Sequence, residues 1–227
     1  TTIAVSLFTN LGYDPQTQFA PISTVAWFDI GIFSNPTGPY GDLQAFIDAA
    51  KANPGTLNVG TVSPGSTQNL AAEYFAATAG IEVNIIPYRT SPDILAALIR
   101  GDLDLAVESP TAFAGAITGN QAKILAVTGA TRNPSLPDVP TVQEAGLEEY
   151  EVSGWNALYS LAGTPDDVIA KLQAAIVETV AMPEIQERFA ELGTSARAVT
   201  PEEMAEQFEV DRARWSDVID SAGIEKH

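Results

Sequence analysis

The stretch LNVGTVSPGSTQNLAAEYFAA, residues 57–77, joins a β-branched apolar run to a helix through a turn of small and hydroxylic residues. Such a turn leaves backbone amides without partners at the start of the helix, where the helix dipole also favours negative charge. A carboxylate or phosphate is therefore one occupant that this pattern predicts. A tight turn that needs glycine only for its geometry is an equally good interpretation. The turn matches neither the G-x-x-x-x-G-K-[ST] nor the G-x-G-x-x-G phosphate-binding motif.

Two further strand-to-helix turns follow, IIPYRTSPD at residues 85–93 and LDLAVESP at residues 103–110. Arg89 comes just after a predicted strand, where open α/β sheets bind their ligands. A surface arginine with no ligand is the alternative. Glu108 ends the next predicted strand, and it either accepts a hydrogen bond from a ligand or bound water, orders the neighbouring loop, or is a surface acid beside a helix.

The alternation of strands and helices predicts βαβ units with a mainly parallel sheet. VAWFDIGIFS, residues 25–34, is predicted as a single strand that opens a compact α/β unit. After about residue 150 the chain is rich in helices and shows one strand, SGWNALYSLAG, so these helices need a sheet supplied largely from elsewhere. Hydroxylic residues before prolines predict four helix N-caps. They are Ser91, Ser109, Thr164 and Thr200, and Thr200 with Glu203 three residues on forms a capping box. The segment GDLQAFIDAAKAN, residues 41–53, predicts a helix with one apolar stripe, formed by Leu43, Phe46, Ile47 and Ala50.

Composition excludes several classes of site. The 227 residues contain no cysteine and one histidine, His227. Disulfides, thiolate metal sites and cysteine nucleophiles are therefore excluded, and a Ser-His-Asp triad or a histidine-based zinc site is nearly excluded. The formal net charge of −18 disfavours nucleic-acid binding. The sequence has no run of about 18 apolar residues, so it predicts no transmembrane helix.

Longer segments of the chain resemble a known family. The run RNPSLPDVPTVQEAG, Arg132 to Gly146, and the run PGTLNVG, Pro54 to Gly60, carry this resemblance together with WNALYSLAGTPDDVIAKL, residues 155–172. They are similar to the Bug/TctC family, the extracytoplasmic solute receptors of tripartite tricarboxylate transporters. The resemblance extends from about residue 12 to about residue 224.

The resemblance implies an α/β fold of the type II periplasmic-binding-protein kind, with two α/β lobes around a cleft. Residues 1–30 would be part of lobe one, residues 31–150 the complete lobe two, and residues 151–227 a return to lobe one with C-terminal helices. Family members carry a further upstream segment with the first strand and a glycine-rich ligand loop. We therefore expect lobe one to be incomplete in this chain and its ligand binding to be weakened or lost.

The function implied is that of a non-enzymatic periplasmic receptor, exported by a signal peptide that this chain does not contain. It would capture a small carboxylate, namely a di- or tricarboxylate, an amino acid or an aromatic acid, for the membrane permease subunits of a transporter. No cofactor, metal, nucleic acid or direct membrane insertion is implied. The residues expected to bind the ligand lie in the three turns. They are Thr61, Val62, Ser63, Gly65, Ser66, Thr67, Gln68, Arg89, Thr90, Glu108 and Ser109.

Two other classes of function are weighed against this one. Regulatory proteins use a similar two-lobed module to sense effectors, but the chain shows no basic winged-helix segment that would bind DNA. An enzyme with Ser63 or Ser66 as nucleophile would lack a histidine base, and no lysine of the chain lies in a catalytic motif. We favour the receptor, with the effector-sensing module as the alternative.

Overall fold

The structure is a computed structural model that describes residues 2–226, so Thr1 and the single histidine, His227, lie outside the described residues. The chain forms two compact units. One combines the chain up to Phe28 with the chain from Gly154 onward, and the other is Asp29–Ser153. In the part of the chain described, no helix has both the length and the apolar character of a membrane span.

The Asp29–Ser153 unit is built around a five-stranded mixed sheet. Its strands are β2 (Gly31–Ser34), β3 (Asn58–Thr61), β4 (Asn84–Pro87), β5 (Leu105–Glu108) and β6 (Lys123–Val127). Their order is β4-β3-β5-β2-β6. β3 pairs in parallel with β4 and β5, whereas β2 runs antiparallel to β5 and β6. The expected α/β class is confirmed, and β2 is the exception to its mainly parallel sheet.

Four helices accompany this sheet. They are α2 (Leu43–Ala52), α3 (Thr67–Ala79), α4 (Ser91–Arg100) and α5 (Ala114–Thr118). The apolar stripe predicted for α2 is buried throughout, with Phe46 and Ala50 fully inaccessible. Under α4 and α5, the rings of Phe33 and Phe113 pack with centroids 4.9 Å apart among Ile94 and Leu98. The spacing of apolar residues along each helix thus determines which face covers the sheet.

The second unit contains a smaller sheet and all the helices described after position 160. Its elements are α1 (Thr2–Leu7), β1 (Phe19–Asp29), β7 (Ser153–Leu161), α6 (Asp166–Val180), α7 (Pro183–Glu191), β8 (Ser195–Ala196) and α8 (Pro201–Ser221). The sheet has three strands in the order β7-β1-β8. It provides limited cover for α6, since Val180 is the one buried residue of that helix and Leu172 is 43% exposed.

The segment predicted as one strand, residues 25–34, is divided between the two sheets. β1 ends at Asp29 and β2 begins at Gly31. Ile30 lies between them, and its N–H bonds to the side chain of Thr128 instead of continuing a ladder. The alternation of residues and their apolar content are the same on both sides of Ile30. The sequence pattern therefore could not reveal this break.

Of the four predicted N-caps, the structure confirms one. Thr200 caps α8 through a full capping box with Glu203, as predicted. The predictions for the other three hydroxyls are wrong. Thr90 caps α4 in place of Ser91, Ser109 precedes a turn rather than a helix, and Thr164 donates to the carbonyl of Leu161 at 2.7 Å. A hydroxyl before proline is therefore compatible with several local structures, and the position of the helix start decides among them.

A buried carboxylate connects α8 to β7 in the second unit. Asp211 is 2% exposed and accepts hydrogen bonds from Trp155 Nε1 at 2.7 Å and Gln207 Nε2 at 3.1 Å. The guanidinium of Arg214 lies 3.5 Å from the same carboxylate. Burial raises the pKa of Asp211 above its ordinary value, although the bond from Trp155, the charge of Arg214 and the bond from Gln207 oppose this rise.

Substitutions at Asp211 test this arrangement. Asp211→Ala leaves the Trp155 and Gln207 donors without their acceptor, so we expect the free energy of unfolding to fall by about 2–4 kcal/mol. Asp211→Asn keeps an acceptor for Trp155 and should cost about 1 kcal/mol or less at neutral pH. Urea denaturation measures both values. An equal loss in the two variants would contradict the proposed hydrogen-bonding role.

The pH dependence of the same variants has a definite sign. Because the pKa of Asp211 is raised in the folded state, its contribution to stability is complete below the unfolded-state pKa and is lost as pH rises through the folded-state pKa. Asp211→Asn does not titrate, so its stability relative to wild type should increase as the pH is raised from about 4 to 7.

Candidate functional site

Three strand-to-helix turns lie side by side at one edge of the larger sheet. β4, β3 and β5 are neighbours and run parallel, so their carboxyl ends meet at the same edge. In open α/β sheets, that edge is where ligands bind. The turns are those that the sequence singled out, after Thr61, after Pro87 and after Glu108.

The side chain of Glu108 joins the three turns. It is 1% exposed, at the end of β5. One carboxylate oxygen accepts from Gln68 Nε2 at 2.9 Å and from the N–H of Ser109 at 2.7 Å. The other accepts from the hydroxyl of Ser91 at 2.9 Å. Because Gln68 lies in the first turn of α3 and Ser91 begins α4, one buried carboxylate fixes the starts of both helices relative to β5.

Asn69 holds the first turn in shape from within. It is 3% exposed, and its Oδ1 accepts the N–H of Gly65 at 3.1 Å while its Nδ2 donates to the hydroxyl of Thr61 at 3.3 Å. Its own N–H donates to Ser66 Oγ at 3.2 Å, which makes Ser66 the N-cap of α3. Gly65 has a φ of 75°, a left-handed conformation that favours glycine.

These bonds determine which predicted groups remain available to a ligand. The hydroxyls of Thr61 and Ser66 are occupied inside the turn, and Glu108 is fully engaged. Thr67 and Gln68 occupy the first two positions of α3, and their N–H groups have no acceptor among residues 2–226. Both residues are partly accessible. Two adjacent amides therefore point out of the amino end of a 13-residue helix.

Around this amide pair lie the remaining predicted residues. Ser63 is exposed, and Val62 packs against the apolar cluster beneath the sheet. Thr90 caps α4, and its hydroxyl donates to Asp93 at 2.7 Å. Arg89 is exposed and forms no ion pair with any described residue. Ser109 is half-buried and bonds to Glu108 through its N–H.

The sequence did not predict the structural roles of two residues of this arrangement, Asn69 and Ser91. Asn69 had one available signal, since a polar residue directly before Leu70 and Ala71 interrupts the apolar part of the helix. Ser91 was identified, but as a cap. Its partner Glu108 is 17 residues away in the chain, a distance at which no sequence pattern indicates contact.

The groups that this arrangement leaves open are hydrogen-bond donors. Residues 2–226 contain no group of three His, Cys, Asp or Glu side chains placed to hold a metal ion. Free amides at a helix amino end, with hydroxyls and an arginine nearby, are suited to an anion such as a carboxylate.

Residues 1–224 match the sequence profile TctC, described as the tripartite tricarboxylate transporter family receptor. The chain belongs to this family. The resemblance to Bug/TctC receptors seen in the sequence is thereby confirmed, and it covers nearly the whole chain. The TctC family is a family of solute receptors.

Individual TctC relatives agree with this assignment. A UPF0065 protein from the tcbD-tcbE intergenic region of Pseudomonas sp. strain P51 is 30% identical over 213 residues, which are 93% of this chain and 63% of that protein. The chain thus spans less than two thirds of the length of this curated relative.

Two solved structures share the fold closely. Rpa4515 of R. palustris, solved with adipate, is 28% identical with a TM-score of 0.80, over 99% of this chain and 76% of that one. MatC from Rhodopseudomonas palustris, solved with bound malate, is 26% identical with a TM-score of 0.73, over 96% of this chain and 75% of that one.

Glu108 variants test whether the carboxylate organises the three turns. Glu108→Ala leaves three buried or half-buried donors without an acceptor, so we expect the free energy of unfolding to fall by about 2–5 kcal/mol. Glu108→Gln is the matched control. Its carbonyl can still accept from Gln68 and Ser109, and its amide can donate to the Ser91 hydroxyl, so a loss of about 1 kcal/mol or less is expected. Guanidinium denaturation measures both, and an alanine variant as stable as wild type would refute this role.

Proposed function

We propose that this chain is a non-enzymatic periplasmic receptor that captures a small carboxylate and delivers it to the membrane permease of a tripartite tricarboxylate transporter. The observation that carries the proposal is the pair of open amides of Thr67 and Gln68, at the carboxyl edge of the sheet. The turn from Ser63 to Gln68 would hold one ligand carboxylate, with Arg89 and Ser109 beside it.

The chemistry of the amide pair supports a carboxylate. Each N–H can donate to one carboxylate oxygen, and the positive end of the α3 dipole adds to the attraction. Asn69 and Glu108 hold the turn in this shape before any ligand arrives, so binding would require little ordering of the turn. The donors carry no formal charge, and the anion would be stabilised over a short range only.

Family membership supports the receptor class and the kind of ligand. Two structural neighbours were solved with adipate and with malate, both dicarboxylates. We infer that dicarboxylates of four to six carbons are the ligands to test first. The same membership supports a transporter permease as the partner that receives the ligand.

The local hydrogen bonds give no support to catalysis by the serines of this turn. Ser66 Oγ accepts the N–H of Asn69 as a helix cap. Within residues 2–226, neither Ser63 nor Ser66 bonds to a lysine that would act as a base. A nucleophile needs such a partner within hydrogen-bond reach.

The direct test is calorimetric titration of the protein with adipate, malate and other small carboxylates, preceded by a thermal-shift screen. A ligand at a hundredfold excess over its dissociation constant stabilises the folded state by about 2.7 kcal/mol. A saturable heat with one of these acids would support the proposal. No thermal shift and no heat with any acid of the set, either in this chain or in a longer chain that spans the full length of its relatives, would contradict it.

Thr67→Pro removes one of the two amides without disturbing the helix. Proline is favoured at the first helical position, and this chain already places Pro183 and Pro201 there. Ser66 has φ −70° and ψ 159°, which suits a residue before proline. The variant should keep its stability within about 1 kcal/mol and bind the carboxylate about 10- to 100-fold more weakly.

Thr67→Ala is the matched control for this substitution, because it removes the hydroxyl and keeps the amide. Calorimetry on both variants distinguishes the contribution of the Thr67 amide to binding from that of its hydroxyl. The amide account predicts a clearly larger loss for proline than for alanine. Equal affinities for Thr67→Pro and wild type would show that this amide does not bind the ligand.

The salt dependence of binding has an expected sign. The formal charge of −18 repels an anionic ligand over a distance, and salt screens this repulsion. Contacts with uncharged amides are short-range and are screened little. Raising the ionic strength from about 10 to 150 mM should therefore leave the affinity unchanged or increase it. A tenfold loss of affinity in calorimetry would indicate that Arg89 or another cation dominates binding instead.

A further inference from the structure

A cavity of about 210 Å³ lies within the unit that combines the chain up to Phe28 with the chain from Gly154 onward. The turn before β1, the neighbouring strands β1 and β7, and α8 surround it. Most of the side chains that line it are apolar. They are Pro15, Phe19, Pro21, Met204, Ala205 and Phe208. The three turns of the candidate functional site belong to the other unit, Asp29–Ser153.

Tyr159 of β7 also lines this cavity, and its hydroxyl is buried without a hydrogen-bond partner. Among residues 2–226, no other buried side-chain nitrogen or oxygen lacks a partner. A buried polar atom in this condition destabilises the fold, and native proteins contain few of them. Burial raises the pKa of Tyr159 to about 12, so the phenol keeps its proton at neutral pH and can donate it in a hydrogen bond.

Neighbouring rings hold the side chain of Tyr159 in place. The ring of Phe19 meets it edge to face with the centroids 6.4 Å apart, and Tyr13 packs on Phe19 in the same manner at 5.8 Å. The start of β1 is tied to the end of β7, since the N–H of Ala162 donates to the carbonyl of Gln18 at 2.9 Å. To reach solvent, the Tyr159 hydroxyl would therefore have to disturb this packing.

The polar side chains at the rim of the cavity are already paired with each other. Gln16 and Glu209 line the cavity and are exposed, and Gln16 Nε2 donates to a carboxylate oxygen of Glu209. A hydrogen bond from Arg212 is the main cause that lowers the pKa of Glu209, so this rim residue is charged at neutral pH. A water molecule beside the Tyr159 hydroxyl would need further polar partners, and the other lining side chains are apolar.

The volume of the cavity limits the size of a molecule that fits in it. In another protein, an engineered apolar cavity of about 150 Å³ binds benzene, so this one accommodates about six to eight non-hydrogen atoms. The apolar lining and the charge of Glu209 at the rim favour an uncharged molecule, because burying a carboxylate beside a single donor is unfavourable. The protonated Tyr159 hydroxyl favours one that carries an acceptor, such as a carbonyl oxygen.

We propose that the cavity between β1, β7 and α8 is a binding site for a small uncharged carbonyl compound, whose oxygen accepts a hydrogen bond from the hydroxyl of Tyr159. The carbon skeleton of the compound packs on Met204 and Phe208. This site lies in a different unit from the proposed carboxylate site and takes a ligand of different charge, so it does not depend on the proposed function.

The two methionines of the chain allow a direct test with cyclohexanone as the probe. Met204 lines the cavity and is fully buried, whereas Met182 is 42% exposed and is not part of the lining. In protein labelled with ¹³C-methyl methionine, cyclohexanone should shift the Met204 signal saturably, with a dissociation constant of about 1–10 mM, and leave the Met182 signal unchanged. No saturable shift of the Met204 signal would overturn the proposal.

Tyr159→Phe distinguishes the hydrogen bond from the apolar contacts. Toluene has as many non-hydrogen atoms as cyclohexanone but carries no carbonyl, so it is the matched probe. The same methyl titrations should show that the variant binds cyclohexanone about tenfold more weakly, the effect of about one net hydrogen bond, and binds toluene within about twofold of wild type. Equal weakening for both probes would show that the hydroxyl acts through packing alone, and would overturn the proposal.

Urea denaturation without any probe tests whether the hydroxyl lacks a partner in the free protein. Tyr159→Phe should unfold at the same urea concentration as wild type or at a higher one, because it removes a buried group that forms no bond. Ser23→Ala is the matched control in the same unit, since Ser23 is fully buried and its hydroxyl donates to the carbonyl of Val199 at 2.7 Å. The control should unfold at a lower urea concentration. A comparable decrease for Tyr159→Phe would contradict the proposed donor.

Discussion

The carboxylate of Glu108 is almost completely buried at the end of β5, and a buried carboxylate is tolerated only where donors surround it. Here the donors come from Gln68, Ser91 and the Ser109 backbone. Because they belong to the starts of two helices and to the turn after β5, their positions depend on one another. The geometry of the candidate site follows from satisfying this single charge, since no turn can shift without breaking a bond to it.

This constraint changes the chemical character of the site. Several hydroxyls and carboxylates that the sequence predicts as ligand-binding groups instead form hydrogen bonds within the turns. Thr61, Ser66 and Glu108 are examples. The groups left open are backbone amides, which any residue except proline could supply. In a protein with 29 acidic and 11 basic residues, uncharged donors on a rigid turn are a means to hold an anion without a basic cluster.

Sequence alone predicted the α/β class, the apolar face of α2, the capping box at Thr200 and the three turns that meet at the sheet edge. These features depend on local periodicity or on short spacing. The break at Ile30, with its bond to Thr128, and the role of Ser91 depend on contacts between residues distant in the chain, and such contacts leave no local pattern. The ligand-binding roles of the turn residues remain predictions, because the hydrogen bonds describe how the turns are held and not what they hold.

The most direct test of the central claim is a ¹H–¹⁵N correlation spectrum of the protein titrated with adipate and with malate. If a carboxylate sits on the amino end of α3, the amide protons of Thr67 and Gln68 should move downfield in proportion to saturation, while Thr78 at the other end of the helix stays fixed. Binding that shifts other amides and leaves Thr67 and Gln68 unchanged would contradict the account. So would spectra that neither acid alters, both in this chain and in a longer chain that spans the full length of its relatives.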